Sequence, residues 1–180
     1  GDDALNTNVE DSYRRGIELS AQWKATGWFT LSGHATFSQN RIEDYVDALK
    51  DSPTFGQNLG DMTISYSPDV IAGVLLDFHC KGFEAVFHTQ YVGKQYFTNN
   101  EIDALSLDSY CTTNLNLGYT LRTKAARSVR FGLMVYNLFD SEYCGNGYGY
   151  SYMDDGKRTD VALYFPQAPL NVLANVTVKF

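Results

Sequence analysis

Asn171 to Phe180 reads NVLANVTVKF. Successive side chains of an extended strand point to opposite faces, so Val172, Ala174, Val176, Val178 and Phe180 share one side. Asn171, Asn175, Thr177 and Lys179 take the other. An apolar and a polar face alternating with period two predict a β-strand with one wet side. The same rhythm returns along the chain toward its start. Val129, Phe131, Leu133 and Val135 share a face. Leu115, Leu117, Tyr119 and Leu121 oppose Asn114, Asn116, Thr120 and Arg122. Phe83, Ala85, Phe87 and Tyr91 oppose Glu84, His88, Gln90 and Lys94. Ala72, Val74, Leu76 and Phe78 mark another strand, and Phe29, Leu31, Gly33, Ala35 and Phe37 oppose Thr30, Ser32, His34, Thr36 and Ser38. The first run sets Ile17, Leu19, Ala21 and Trp23 against Glu18, Ser20, Gln22 and Lys24.

The connections between these runs alternate in length. Ala25-Thr26-Gly27, Lys81-Gly82 and residues 123–127 are short turns. Residues 39–69, 97–108 and 140–169 form long polar or Gly- and Tyr-rich stretches. Within the first of these, Met62, Ile64 and Tyr66 are strand-like, and Pro68-Asp69 is a turn signal. Tight turns at one end and long loops at the other are the pattern of outer-membrane barrels. Each run is about 9–12 residues, enough to cross a bilayer when tilted. Strands of soluble domains are nearer about 5–6 residues. In lipid every backbone group must pair within the protein, so one face meets hydrocarbon and the other a wet or plugged lumen. Glu, Lys, Asn and Gln on the second face fit a lumen better than a dry core. The expected fold is therefore all-β: an antiparallel transmembrane β-barrel wall of about seven to eight long amphipathic strands, with residues 1–180 as one unit. Two alternatives alternate in the same way. One is a small closed barrel, if Met62–Tyr66 is a full eighth strand. The other is a soluble β-rich ligand-binding module with one solvated face.

Composition agrees with β-structure. Thirteen Tyr and eleven Phe in 180 residues favour pleated surfaces. The net charge of -7, with Lys and Arg scattered, excludes a nucleic-acid partner. Cys80, Cys111 and Cys144 are an odd number at wide spacings, neither a disulfide framework nor a metal knuckle. No run of about 18 apolar residues exists to form a membrane helix. Gly1 to Asn8 (GDDALNTN) lacks the apolar core of a signal peptide, as in a mature or internal segment.

Four segments resemble the C-terminal region of TonB-dependent receptors of the Bacteroidetes type. Arg14 to Leu19 (RRGIEL) resembles the family's RG-[IV]-E strand opening. Tyr91 to Tyr96 (YVGKQY), followed by Thr98-Asn99-Asn100, resembles its YVGxQY segment. Asn137-Leu138-Phe139-Asp140 with Tyr143 resembles the NLFD-x-x-Y element of the penultimate strand. Phe165 to Pro169 (FPQAP) before the last strand resembles the closing segment. The resemblance covers nearly the whole chain with the elements in order. It implies part of a barrel of about 22 strands plugged by an N-terminal domain. It also implies active uptake of a scarce nutrient across the outer membrane, such as a ferric siderophore or similar chelate. Energy would come from an inner-membrane TonB complex that contacts a short box near the receptor's N-terminus. Neither plug nor box is among these residues, so the chain is expected to supply the last strands and about three extracellular loops. No cofactor is implied.

The terminal Phe180, with Val178 and Val176 stepping back by twos, resembles the signal read by the outer-membrane assembly machinery. With an odd strand count and an extracellular first loop, Phe180 falls on the periplasmic side. Tyr148, Tyr150 and Tyr152 alternate with Gly and Ser. Such aromatics stack on a small-molecule ligand, form an interfacial belt, or continue a hairpin beyond the membrane. No GxSxG, HExxH, phosphate loop or paired-carboxylate motif occurs, so an enzyme is not expected. His34 and His88 read as lumen-facing and His79 as turn-edge, with a haem or metal role the lesser reading. Glu43, Asp44, Asp47 and Asp51 make a solvated acidic loop, with cation binding the lesser reading. Ile42, Tyr45, Val46 and Leu49 in that loop have the spacing of a helical turn.

Overall fold

The structure, a computed structural model, describes residues 11–48, 50 and 52–180. Gly1 to Asn8, Leu49 and Asp51 lie outside the described residues. In chain order the strands are β1 (Ser12–Lys24), β2 (Phe29–Ile42), β3 (Met62–Thr63), β4 (Val70–Cys80), β5 (Phe83–Val92), β6 (Gln95–Tyr96), β7 (Ser106–Leu107), β8 (Tyr110–Leu121), β9 (Ser128–Tyr136), β10 (Cys144–Asp154), β11 (Lys157–Pro166) and β12 (Asn171–Lys179). Among the described residues there is one 3-10 turn, Asp103–Leu105, and no α-helix.

One twisted sheet carries the order β1-β2-β4-β5-β8-β9-β12, antiparallel at every step. β3 adds only a two-residue lip, pairing Thr63 with Arg41 and Met62 with Ile42. The chain then leaves the sheet, and Tyr66 takes a left-handed φ of 53°. Met62–Tyr66 is therefore not an eighth wall strand, and seven long strands make the wall. β1 and β12 are its two edges and do not pair with each other among the described residues, so the sheet does not close into a small barrel.

The register aligns the apolar residues into rows that cross the whole wall. Trp23, Leu31, Leu76, Phe87, Leu115, Val135 and Val172 stand opposite one another, strand by strand. This face is open: Ile17 and Trp23 are each 64% exposed and Val176 61%. In water such a patch would drive association. In a bilayer it is simply solvated by lipid, and the backbone is already satisfied by the ladders.

The opposite face is polar. Gln22, Ser32, His88 and Asn114 occupy one row, interrupted by Leu75. An Arg130–Glu84 ion pair bridges from β9 to β5 across β8. Gly118 lies under it, where a Cβ would stand 2.8 Å from the guanidinium. His34 leans over Gly73 in the same way, and His79 pairs with Asp77 at 2.6 Å. Lys81-Gly82, both at positive φ, make the two-residue turn between β4 and β5. The three short turns and Phe180 lie at one end of the wall, as the pairing of Lys179 with Ser128 requires. In barrels of this class that end is periplasmic.

Candidate functional site

The long connections meet at the other end and build a second, small core there. β6 and β7 pair Gln95 with Leu107 and Tyr96 with Ser106, forming a short hairpin. It folds Phe97, Leu105 and Leu107 inward; Leu105 is fully buried. Lys94 Nζ clasps the hairpin by donating to Asp103 at 2.6 Å. That hydrogen bond holds the Asp103 carboxyl below its ordinary range and the Lys94 ammonium above its own. The Asp103 contribution is present above the ordinary carboxylate pKa and is lost as pH falls through the lowered one. The Lys94 contribution is present below the ordinary lysine pKa and is lost as pH rises through the raised one. Hydrogen-exchange protection of residues 95–107, corrected for intrinsic rate, should therefore weaken in strong acid. Asp103→Asn should remove that acid dependence.

Residues 140–169, read as a long Gly- and Tyr-rich loop, hold a β-hairpin, one of the arrangements left open for Tyr148, Tyr150 and Tyr152. β10 and β11 pair from Asn146↔Phe165 to Asp154↔Lys157 around Asp155-Gly156. Both turn residues have positive φ, the geometry that an Asp-Gly pair favours. The alternation of Gly with Tyr then separates two faces. Gly147 and Gly149 face the small core. A Cβ on Gly147 would stand 2.7 Å from Phe97 Cζ, and one on Gly149 would stand 2.9 Å from both Leu105 and Phe97. Glycine is used here for clearance. Gly149→Ala should cost about 1–3 kcal/mol as overpacking, read as a lower unfolding midpoint, because the added Cβ would press on the buried Leu105 and Phe97 and stand 3.1 Å from the Val161 carbonyl oxygen. Tyr148, Tyr150 and Tyr152 occupy the outward face, 47%, 48% and 40% exposed.

The first long loop joins this body. Its expected helical turn is absent among the described residues. Val46 bridges Asn58, Asp47 N–H donates to Gln57 O at 3.0 Å, and Leu59 N–H to Tyr45 O at 2.8 Å. Branched and aromatic residues at Tyr45 and Val46 suit this extended pairing better than a helix. Two of the acidic residues are engaged within the loop: Asp47 is buried and accepts from Thr54 Oγ1, and Asp44 accepts from Asn58 at 2.8 Å. Burial, then the charge of Asp47, pushes the Tyr45 phenol up. Further on, Tyr66 OH donates to Gly147 O at 3.2 Å while its ring packs 5.9 Å from Phe97. Thr63 N–H and Ser65 N–H donate to Glu101 at 2.8 Å and Asn99 at 2.7 Å. Three loops thus share one core and one hydrogen-bond network.

Asn137-Leu138-Phe139-Asp140 forms the corner where β9 ends. Asn137 is buried at a φ of 51°. Its side chain donates to Ser141 O at 2.9 Å and Ala168 O at 3.3 Å and accepts from Ser141 N–H at 2.9 Å. Asp140 Oδ1 accepts from Leu170 N–H at 2.7 Å. Two residues of one motif therefore hold both feet of the last loop. Phe139 stays exposed, and Tyr143 stacks on Tyr110 with ring centroids 4.6 Å apart. Beside that stack lies an open cleft of about 570 Å³ lined by Tyr110, Asp140, Glu142, Tyr143, Tyr164 and Gln167. Sequence reasoning missed this cleft and the Phe97 core. The Asp155-Gly156 pair was the available signal for the hairpin, and only contacts between loops define the rest.

The remaining candidates stand apart. Val176 and Val178 sit on the apolar face opposite Phe131 and Val129, and Phe180 is exposed beyond them. His34 and His88 line one shallow hollow on the polar face. Among the described residues no three metal-ligating side chains gather. Cys80, Cys111 and Cys144 are free thiols.

Residues 1–138 match a family model described as TonB dependent receptor-like, beta-barrel. A comparison with curated proteins gives no match. Among solved structures, the ferric yersiniabactin uptake receptor FyuA from Yersinia pestis aligns at a TM-score of 0.65 and 18% identity over 93% of this chain. The ferric citrate transporter FecA aligns at 0.63 and 15% over 91%, and the ferric-catecholate import receptor Fiu from E. coli K12, closed form, at 0.62 and 19% over 92%. The chain spans only 23%, 23% and 21% of the lengths of those three proteins.

Proposed function

The chain belongs to the TonB-dependent receptor β-barrel family, and on that premise we propose that it is the closing part of an active importer for a scarce nutrient, a ferric siderophore or similar iron chelate. β-barrels of this family are outer-membrane proteins of Gram-negative bacteria, and its members are transport receptors rather than enzymes. The observation that carries the reading is the joined loop body on an intact amphipathic wall. Phe97, Leu105 and the glycine face of the hairpin fix three loops relative to one another through contacts within the chain. A surface ordered beforehand loses less entropy when a small molecule binds. The iron chelates named for FyuA, FecA and Fiu support the ligand class by likeness of fold. Tyr148, Tyr150 and Tyr152 are the proposed ligand-loop aromatics, since planar chelators stack on exposed rings. Val176, Val178 and Phe180 are proposed as the signal for the outer-membrane assembly machinery. Coupling to the inner-membrane TonB complex would run through the rest of the receptor.

The test is uptake by cells that carry or lack the receptor. Radioactive iron supplied as a panel of chelates should enter only receptor-bearing cells, and entry should stop when TonB is removed. Unchanged iron uptake, with loss of uptake of another nutrient, would replace the ligand class. TonB-independent uptake would overturn active import.

A further inference from the structure

The two ends of the wall carry opposite charge. Segments 43–69, 93–109 and 137–170, at the long-loop end, hold fourteen Asp and Glu against four Lys and Arg. At the short-turn end, segments 24–28, 80–83, 121–128 and 179–180 hold six cations and no acid: Lys24, Lys81, Arg122, Lys124, Arg127 and Lys179. All six are exposed. None is in an ion pair among the described residues, because the nearby carboxylates are engaged elsewhere, Asp77 with His79 and Glu84 with Arg130. Directly beside them the apolar face ends in exposed rings, Trp23, Phe83, Tyr119 and Phe180, with Trp28 at the first turn. Trp28 is braced by Phe29 and Phe78 at 6.1 and 6.2 Å.

Rings of this kind settle at headgroup depth. Lys81, Lys124 and Arg127, in the turns just beyond them, stand where lipid phosphates lie, whereas Lys24, Arg122 and Lys179 lie at strand ends on the polar face; each basic side chain near an anionic membrane surface adds to the attraction. The three turn cations have no ion-pair partner among the described residues, and an anionic lipid surface offers one. We propose that the short-turn rim is a docking surface for the anionic phospholipid headgroups of the inner leaflet of the outer membrane. Its partner is a phosphatidylglycerol-type phosphate, bound by charge above the aromatic belt. This site is independent of what the receptor imports, and the acidic loops at the other end rule out the same attraction there.

The test uses the full-length receptor in nanodiscs of equal phosphatidylglycerol and phosphatidylethanolamine, with retained lipids counted by native mass spectrometry. Phosphatidylglycerol should be enriched severalfold, and raised salt should erase the enrichment, as for exposed charges. Lys81→Gln with Lys124→Gln and Arg127→Gln should bring the severalfold enrichment down to near parity. Equal retention of the two lipids, or enrichment indifferent to salt, would overturn the proposal. So would retention of lipopolysaccharide alone, which would place the phosphate in the other leaflet. If the triple variant fails to fold, the salt titration of the unaltered receptor decides the matter by itself.

Discussion

Leu76→Arg is expected to lower the stability of the receptor in a bilayer by about 2–4 kcal/mol. Leu76 sits mid-strand on β4 in the apolar row that runs from Trp23 to Val172. An arginine there must either carry its charge into hydrocarbon or drag headgroups and water inward. Leu75 is the control. It is the adjacent residue on the polar face, in the row of Gln22, Ser32 and His88. Leu75→Arg should cost well under half as much, because the lumen is wet. Equilibrium refolding into phospholipid vesicles, read by the mobility difference between folded and unfolded barrel on a gel, gives both numbers. Equal costs would contradict the assignment of the two faces.

Asn137→Ala is expected to cost about 2–4 kcal/mol and to loosen both feet of the last loop. The change removes three side-chain hydrogen bonds and leaves the Ser141 carbonyl and amide short of partners in a half-buried corner. It also puts alanine at a φ of 51°, which asparagine tolerates better. Asn137→Gly separates the two causes. It relieves the backbone but not the lost bonds, and should recover about 1 kcal/mol. The same refolding measurement applies, joined to limited proteolysis of residues 137–143 and 166–170. A variant that keeps its stability and its resistance to cleavage would show that Asp140 alone suffices.

The wall was legible because its determinants are local. Period two fixes which side chains share a face, and the turns Lys81-Gly82 and 123–127 fix the order in which strands pair. The lengths of the connections separated the two ends. The loop body was not legible, for a physical reason. Phe97 is buried only because Tyr66, Gly147 and Gly149 arrive from far along the chain, and no window of sequence contains that meeting. The acidic loop shows the limit of spacing alone. Ile42, Tyr45, Val46 and Leu49 fit a helical repeat, yet Val46 bridges Asn58, since pairing between two segments outweighs a weak local preference. The tyrosine and glycine alternation of β10 was visible as composition. Its meaning, a seated face and an open face, needed the Asp155-Gly156 turn to be read as a hairpin.

The corner at Asn137 and Asp140 also bears on the order of events as the wall forms. β1 and β2, β4 and β5, and β8 and β9 are each joined by a short turn, so their pairing closes small loops. β12 has no such partner. Its ladder with β9 spans residues 137–170, and closing a longer flexible loop has a larger entropic cost. Once formed, the β10–β11 hairpin and the two side-chain clamps hold the feet of that segment together. To β12 the connection then behaves as a few residues rather than thirty-four. The last strand is thereby converted from a distant contact into a near one, which is the kind of contact that forms fast.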